Sequence, residues 1–189
     1  MIERAELGVA RAANGEGYIE DPQIMRPVMA SRIAANNVQV TFGAFILGVT
    51  AGIGTVLLLV FNGISIGGVL GLYQSKGILA LIGAFVAPHT VLELGAICIA
   101  GGAGLLLGAA IVLPGNRTRR DALALNAKRS IRLIAASTIF LLIAGTIEGF
   151  ISPIPWWPLV WKVTVTAVSA VFFFGFILLG RGATVRTAL

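Results

Sequence analysis

Three ionisable side chains stand inside otherwise apolar sequence: His89, Glu93 and Glu148. Charge is expensive where the surroundings are lipid, so an ionisable group kept there is a candidate for function. His89 and Glu93 are four residues apart, which places them on one face of one helix. An imidazole and two carboxylates can bind a divalent metal, hold a proton, or pair with each other in a hydrogen-bonded knot that fixes helix register. The His-x-x-x-Glu spacing lacks the zincin motif, so no metal and no cofactor is assigned. No serine or cysteine has a credible base beside it, and no catalytic residue is named; the expectation is a protein that is not an enzyme.

The elements that must position these residues follow from composition. The chain has 189 residues, of which 57% are hydrophobic and 12% charged. Soluble domains carry about 25% charged residues, so a water-soluble fold is excluded. From residue 38 to 112 the ionisable groups are Lys76, His89 and Glu93, with Tyr73 and Cys98 as weak acids. Uncharged runs of that length read as transmembrane helices. The single cysteine excludes an intramolecular disulfide framework. The first 36 residues lack the apolar stretch of a cleavable signal, so insertion is expected to be driven by the first span.

The fold class expected is all-α, a polytopic transmembrane helix bundle. Residues 1–36 form a polar N-terminal segment broken at Asn14, Gly15, Gly17, Pro22 and Pro27. Residues 37–181 form the transmembrane domain, and 182–189 a cytoplasmic tail. Four full spans are expected, over 38–61, 90–113, 131–150 and 159–180, each long enough for a hydrocarbon core of about 30 Å. Asn62-Gly63 ends the first. Residues 64–86 are expected as two short helices broken near 73–77, either re-entrant or, as the alternative, a fifth span. The re-entrant form is favoured, because a crossing would put Lys76 near mid-bilayer at a cost of about 2.5–3.5 kcal/mol. Residues 151–158 form an uncharged turn, and Trp156, Trp157 and Trp161 form an interfacial belt from which Lys162 reaches the headgroups.

Charge sets orientation. The net charge is +6, and Arg117, Arg119, Arg120, Lys128, Arg129 and Arg132 gather against Asp121 alone in one short interval, around a loop over 114–130. A short basic loop between apolar spans is a positive-inside signal, which puts it in the cytoplasm. No aromatic or groove-reading pattern accompanies it, so nucleic acid is excluded as a partner. With this loop inside, His89, Glu93 and Glu148 come near the outer face, and Asn62 joins them if 64–86 is a hairpin. Small residues recur at intervals of four: Gly48 and Gly52; Gly63, Gly67 and Gly71; Ala96, Ala100, Gly104 and Gly108; Gly145 and Gly149. Such ridges let membrane helices approach closely, and these glycines are expected to carry helix packing.

The same residues resemble the stage II sporulation protein M family. The resemblance lies in Asn36-Asn37, in Gly52-Ile53-Gly54-Thr55 and in Asn62-Gly63. It continues through Pro88-His89-Thr90-Val91-Leu92-Glu93-Leu94, the run from Ile99 to Gly104, and Leu107-Gly108. Pro114-Gly115 with Arg117 and Arg119, then Ala144-Gly145-Thr146-Ile147-Glu148-Gly149-Phe150, complete it. It covers about residues 36–153. Thr90 departs from the family's usual glycine after Pro-His, so a tight turn there must do without glycine's freedom. The chain resembles the C-terminal membrane half of longer members, which would leave its N-terminus outside. The resemblance implies an inner-membrane, multi-pass scaffold gathering envelope proteins, as the namesake does with peptidoglycan-cleaving partners at the septal wall. The partners expected are the lipid bilayer and other membrane or envelope proteins, with a homo-oligomer left open. The alternative function is a transporter or permease subunit with a polar site near the outer face, to which the broken segment around Lys76 also points.

Overall fold

A computed structural model describes residues 2–14, 16, 22–152 and 157–186. Regular structure among them is helical: α1 (Ile2–Ala13), α2 (Pro22–Ile46), α3 (Ile53–Ser75), α4 (Leu79–Val112), α5 (Arg119–Phe150) and α6 (Leu159–Arg186), with a 3-10 turn at Leu47–Val49. Four helices are long and apolar enough to cross a membrane: Ile53–Ser75, Leu79–Val112, Arg119–Phe150 and Leu159–Gly180. A shorter apolar helical stretch lies at Ala34–Val49. The protein is an all-α membrane bundle.

Helix α4 is its axis. Over half of its apolar stretch is buried, against 6% for α3 and for α6, which lie at the periphery. Helix α5 returns antiparallel to α4, joined to it by hydroxyl and amide groups that reach across to main-chain carbonyls. Ser137 Oγ donates to Ala96 O and Ser130 Oγ to Ala103 O, both at 2.8 Å and both buried. Asn126 Nδ2 donates to Leu106 O, again at 2.8 Å. In lipid no hydrophobic force drives helices together, so close packing and such bonds hold the seam. Helix α6 docks through Phe173, against which Gly95 of α4 is pressed. Phe140 of α5 meets the rings of Phe172, Phe173 and Phe176 edge-on, with centroids 5.2–5.7 Å apart.

The expected first span, 38–61, is not continuous. The chain turns at residues 47–52, where Ala51 and Gly52 take left-handed φ of 57° and 83°. Gly48 lies against Gly104, and Gly52 against Gly108, so close that a side chain at Gly48, Gly104 or Gly108 would strike backbone. The turn is held by Thr50 Oγ1, which donates to Leu47 O at 2.6 Å and accepts from Gly54 N at 2.8 Å. Buried Thr55 Oγ1 donates back across it to Ala44 O at 2.7 Å. A run of uniform hydropathy hid this break.

The break expected within 64–86 is present, at residues 76–78, but its arms are not short: they are the ends of α3 and α4. Gly77 takes φ 69°, Ile78 N donates to Tyr73 O and Gly77 N to Gln74 O, both at 3.0 Å. That pair of bonds with a left-handed glycine is a Schellman motif, which satisfies carbonyls at the end of α3. Tyr73 and Ile78 pack together with Ala5, Ile82 and Phe85, so α1 lies on this turn. Lys76 therefore sits at a helix end, paired with Glu6 at 3.8 Å, and the mid-bilayer cost does not arise. Helix α4 also runs straight through Pro88, which the sequence suggested as its boundary; proline is tolerated inside membrane helices where neighbours satisfy the freed groups.

The basic segment is mostly helix. Only residues 113–118 connect α4 to α5, and the expected loop over 114–130 shrinks accordingly. Thr118 caps α5: its Oγ1 accepts from Asp121 N at 3.1 Å and donates to Asp121 Oδ2 at 2.7 Å. Arg119 Nε donates to Ile111 O at 3.2 Å, which suits the negative end of α4. The expected boundaries at 36/37 and 181/182 fall inside α2 and α6. Gly15, Gly17, Pro153, Pro155 and Trp156, and the last three residues of the expected tail, lie outside the described residues. Trp157 is half-buried and Trp161 exposed. Lys162 turns inward, its Nζ donating to Ser152 O at 3.2 Å.

Candidate functional site

Helix α2 runs parallel to α4, with Asn37 level with Glu93 and Ala44 level with Gly104. Helix α5 runs the other way. Four elements therefore converge around the upper middle of α4, and they bring together His89, Glu93 and Glu148. Donor atoms from these three, one per residue, lie within 4.8 Å of one another. His89 Nε2 is 3.9 Å from Glu93 Oε2, the geometry that i, i+4 spacing on α4 dictates. The His89 side chain is 2% exposed and that of Glu93 13%, and residue Glu148 is 1% exposed.

Neighbours fix two of the three. His89 Nδ1 is 2.8 Å from Ser152 Oγ, just past the end of α5. Ser152 is itself held by Lys162 of α6 through its carbonyl. Glu93 Oε1 accepts from Asn37 Nδ2 at 2.6 Å. Ser169 Oγ of α6 donates to Pro88 O at 3.1 Å and anchors that side of α4. Phe85 closes over His89 edge-on, with ring centroids 6.0 Å apart. Glu148 has no such support: both of its carboxylate oxygens are buried without a hydrogen-bond partner among the described residues. A buried carboxylate left this way needs a proton or a cation, since an uncompensated buried charge costs several kcal/mol.

His89 and Glu93 do not stand in the first turns of their helix, where the sequence placed them. His89 lies ten residues beyond Leu79 and Glu93 fourteen, about 15 and 21 Å along α4 at 1.5 Å per residue. Ser169, at the same level, is ten residues, or about 15 Å, into α6. His89 and Glu93 are thus inside α4, which begins about two and a half turns before Pro88, whereas Glu148 lies in the last turn of α5. Asn62 is not part of it: it sits at the tenth position of α3 rather than at a helix end, and the hydrogen bonds of the cluster do not include it.

Of the glycines singled out, Gly48 and Gly52 of the 47–52 turn meet Gly104 and Gly108 of α4. Gly145 faces Ala34 of α2 at 3.8 Å from where a side chain would begin, and Gly149 is buried. Gly63, Gly67 and Gly71 differ: they are exposed, and a side chain at any of them would meet nothing within 4 Å. They do not pack helices within this chain. Ser152, Ser169 and the buried Thr41, whose Oγ1 also lacks a hydrogen-bond partner among the described residues, escaped the sequence reading, because serine and threonine are ordinary in apolar spans; Lys162 was read only as an interfacial anchor. Asn37 offered a signal, being an amide within the family-like Asn36-Asn37 pair.

The family described as Stage II sporulation protein M matches residues 5–153. An uncharacterized protein of Methanocaldococcus jannaschii is 29% identical over 123 residues, covering 64% of this chain and 69% of its own length. No solved structure matches the chain.

Proposed function

The chain belongs to the stage II sporulation protein M family, and on that premise we propose that it is a multi-pass inner-membrane scaffold that gathers envelope proteins, among them peptidoglycan-remodelling enzymes. The observation that carries this reading is the surface of α3. Its Gly63, Gly67 and Gly71 form a small-residue ridge, four residues apart, that no described residue fills. Within the bundle the equivalent ridge of Gly104 and Gly108 receives Gly48 and Gly52; on α3 the same device faces outward, suited to the close approach of a helix from another protein. In this reading the basic end, 113–120, is cytoplasmic. The N-terminal helix α1 and Lys76, at the opposite end of the bundle, are external.

The test is quantitative co-purification from native membranes. Wild-type protein should retain envelope proteins bearing peptidoglycan-cleaving domains, and Gly67→Leu should lose them while inserting and folding normally. Equal recovery of the same partners by Gly67→Leu would remove the support that α3 gives.

A further inference from the structure

The buried cluster has a use that a scaffold does not require. From the placement of His89, Glu93 and Glu148 we propose that the bundle binds one zinc-class divalent cation where the last turn of α5 meets α4, through His89 Nε2, Glu93 Oε2 and a Glu148 carboxylate oxygen. This inference does not rest on the scaffold reading.

Geometry supports it first. The three donors lie within 4.8 Å of one another, and the His89–Glu93 pair is 3.9 Å apart. Tetrahedral zinc holds nitrogen and oxygen ligands at about 2.0–2.2 Å, which puts ligand atoms about 3.4 Å from each other. Closing the set therefore takes about 0.5 Å in the nearer pair and at most about 1.4 Å in the widest, a side-chain adjustment that needs no helix movement. One imidazole with two carboxylates suits zinc and its neighbours in the first transition row; magnesium and calcium prefer oxygen ligands alone. Three protein ligands leave a fourth position for water or a small ligand.

The supporting groups are a second, independent observation. A ligating histidine ordinarily donates its other ring N–H to an oxygen, and ligating carboxylates are themselves hydrogen-bonded. Here Ser152 Oγ stands 2.8 Å from His89 Nδ1, which leaves Nε2 free to ligate. Asn37 Nδ2 occupies Glu93 Oε1 and leaves Oε2 facing the imidazole. The third observation is Glu148. It is 1% exposed, its two oxygens have no hydrogen-bond partner among the described residues, and one of them lies within 4.8 Å of the other two donors. A doubly charged cation balances two carboxylates and a neutral imidazole, and so supplies the partner that Glu148 lacks.

Metal content measures this directly. Wild-type protein, purified in mild detergent, stripped with a chelator and titrated with Zn2+ against a chromophoric competitor, should take up one equivalent per chain. Co2+ should give the intense visible absorption of a four-coordinate site, and Zn2+ should raise the melting temperature. His89→Ala, Glu93→Gln and Glu148→Gln should each abolish tight binding. Ser152→Ala and Asn37→Ala should keep the stoichiometry but weaken binding about 10–100-fold. Wild-type protein that binds no Zn2+ or Co2+ overturns the proposal without reference to any variant. Glu148→Gln that folds and binds Zn2+ like the wild type overturns it too, leaving the cluster a hydrogen-bonded knot.

Discussion

Replacing Gly104 by alanine probes the contact on which the bundle closes. The new Cβ would stand 2.6 Å from Thr55 Oγ1 and 3.2 Å from Ala44 C, and nearer still to Ala44 O. Ordinary contact begins at 3.4 Å, so the shortfall at Thr55 alone is about 0.8 Å. The obstructing atoms on the α2 side are backbone, which cannot rotate away, so α2 must part from α4. Overpacking of this kind costs about 1–3 kcal/mol. The Thr55–Ala44 hydrogen bond lies in the path of the new methyl group, and its loss adds about 1 kcal/mol, for about 2–4 kcal/mol in all. Gly102, two residues earlier on the same helix, has nothing within 4 Å of its Cβ position. Gly102→Ala should therefore be neutral, or gain up to about 1 kcal/mol from helix propensity. Unfolding by denaturing detergent, followed for both variants beside the wild type, reads the difference. Equal stabilities, or Gly102→Ala as the weaker of the two, would refute the close approach of α2 and α4.

Other expectations follow from the same geometry. Gly95→Ala would drive a methyl group into the Phe173 ring, with Cζ 2.5 Å away; it should loosen α6, and Phe173→Leu should restore part of the lost stability in the double variant but not by itself. Ser130→Ala and Ser137→Ala each remove a buried bond to α4; each should cost about 0.6 kcal/mol and at most about 1.7. The double variant should cost about the sum, because the two sites lie two turns apart with separate acceptors. For orientation, a cysteine placed at position 76 should react in intact cells with a membrane-impermeant maleimide, and one placed at position 120 should not; the reverse pattern would invert the bundle.

What the sequence disclosed and what it hid have physical causes. Length and hydropathy of the apolar runs revealed a helical membrane protein, because lipid allows few alternatives. They could not reveal the turn at 47–52, where the residues are as apolar as their neighbours and the break is stabilised by contact with Gly104 and Gly108 far along the chain. The turn at Gly77 was legible because glycine and polar residues mark it locally. Pro88 misled for the same reason: it resembles a boundary, yet α4 continues through it. That continuation moved His89 and Glu93 from a helix end to its interior. Their mutual spacing was legible from periodicity alone. Glu148 could be placed beside them only through the α4–α5 pairing, whose short connection at 113–118 makes the helices antiparallel neighbours. Ser152 and Lys162 were invisible as members, since what recruits them is tertiary packing rather than spacing. Gly63, Gly67 and Gly71 carried the same pattern as the packed glycines; only the structure distinguishes a filled ridge from an open one.

The scaffold reading stands most directly on what touches α3 in the native membrane. A photo-crosslinking amino acid introduced at position 67, on the open ridge, should give a discrete heavier product that contains an envelope protein with a peptidoglycan-cleaving domain. The same probe at position 171, on the exposed face of α6, should give only lipid adducts. Lipid adducts alone from position 67, matching those from 171, would contradict the account.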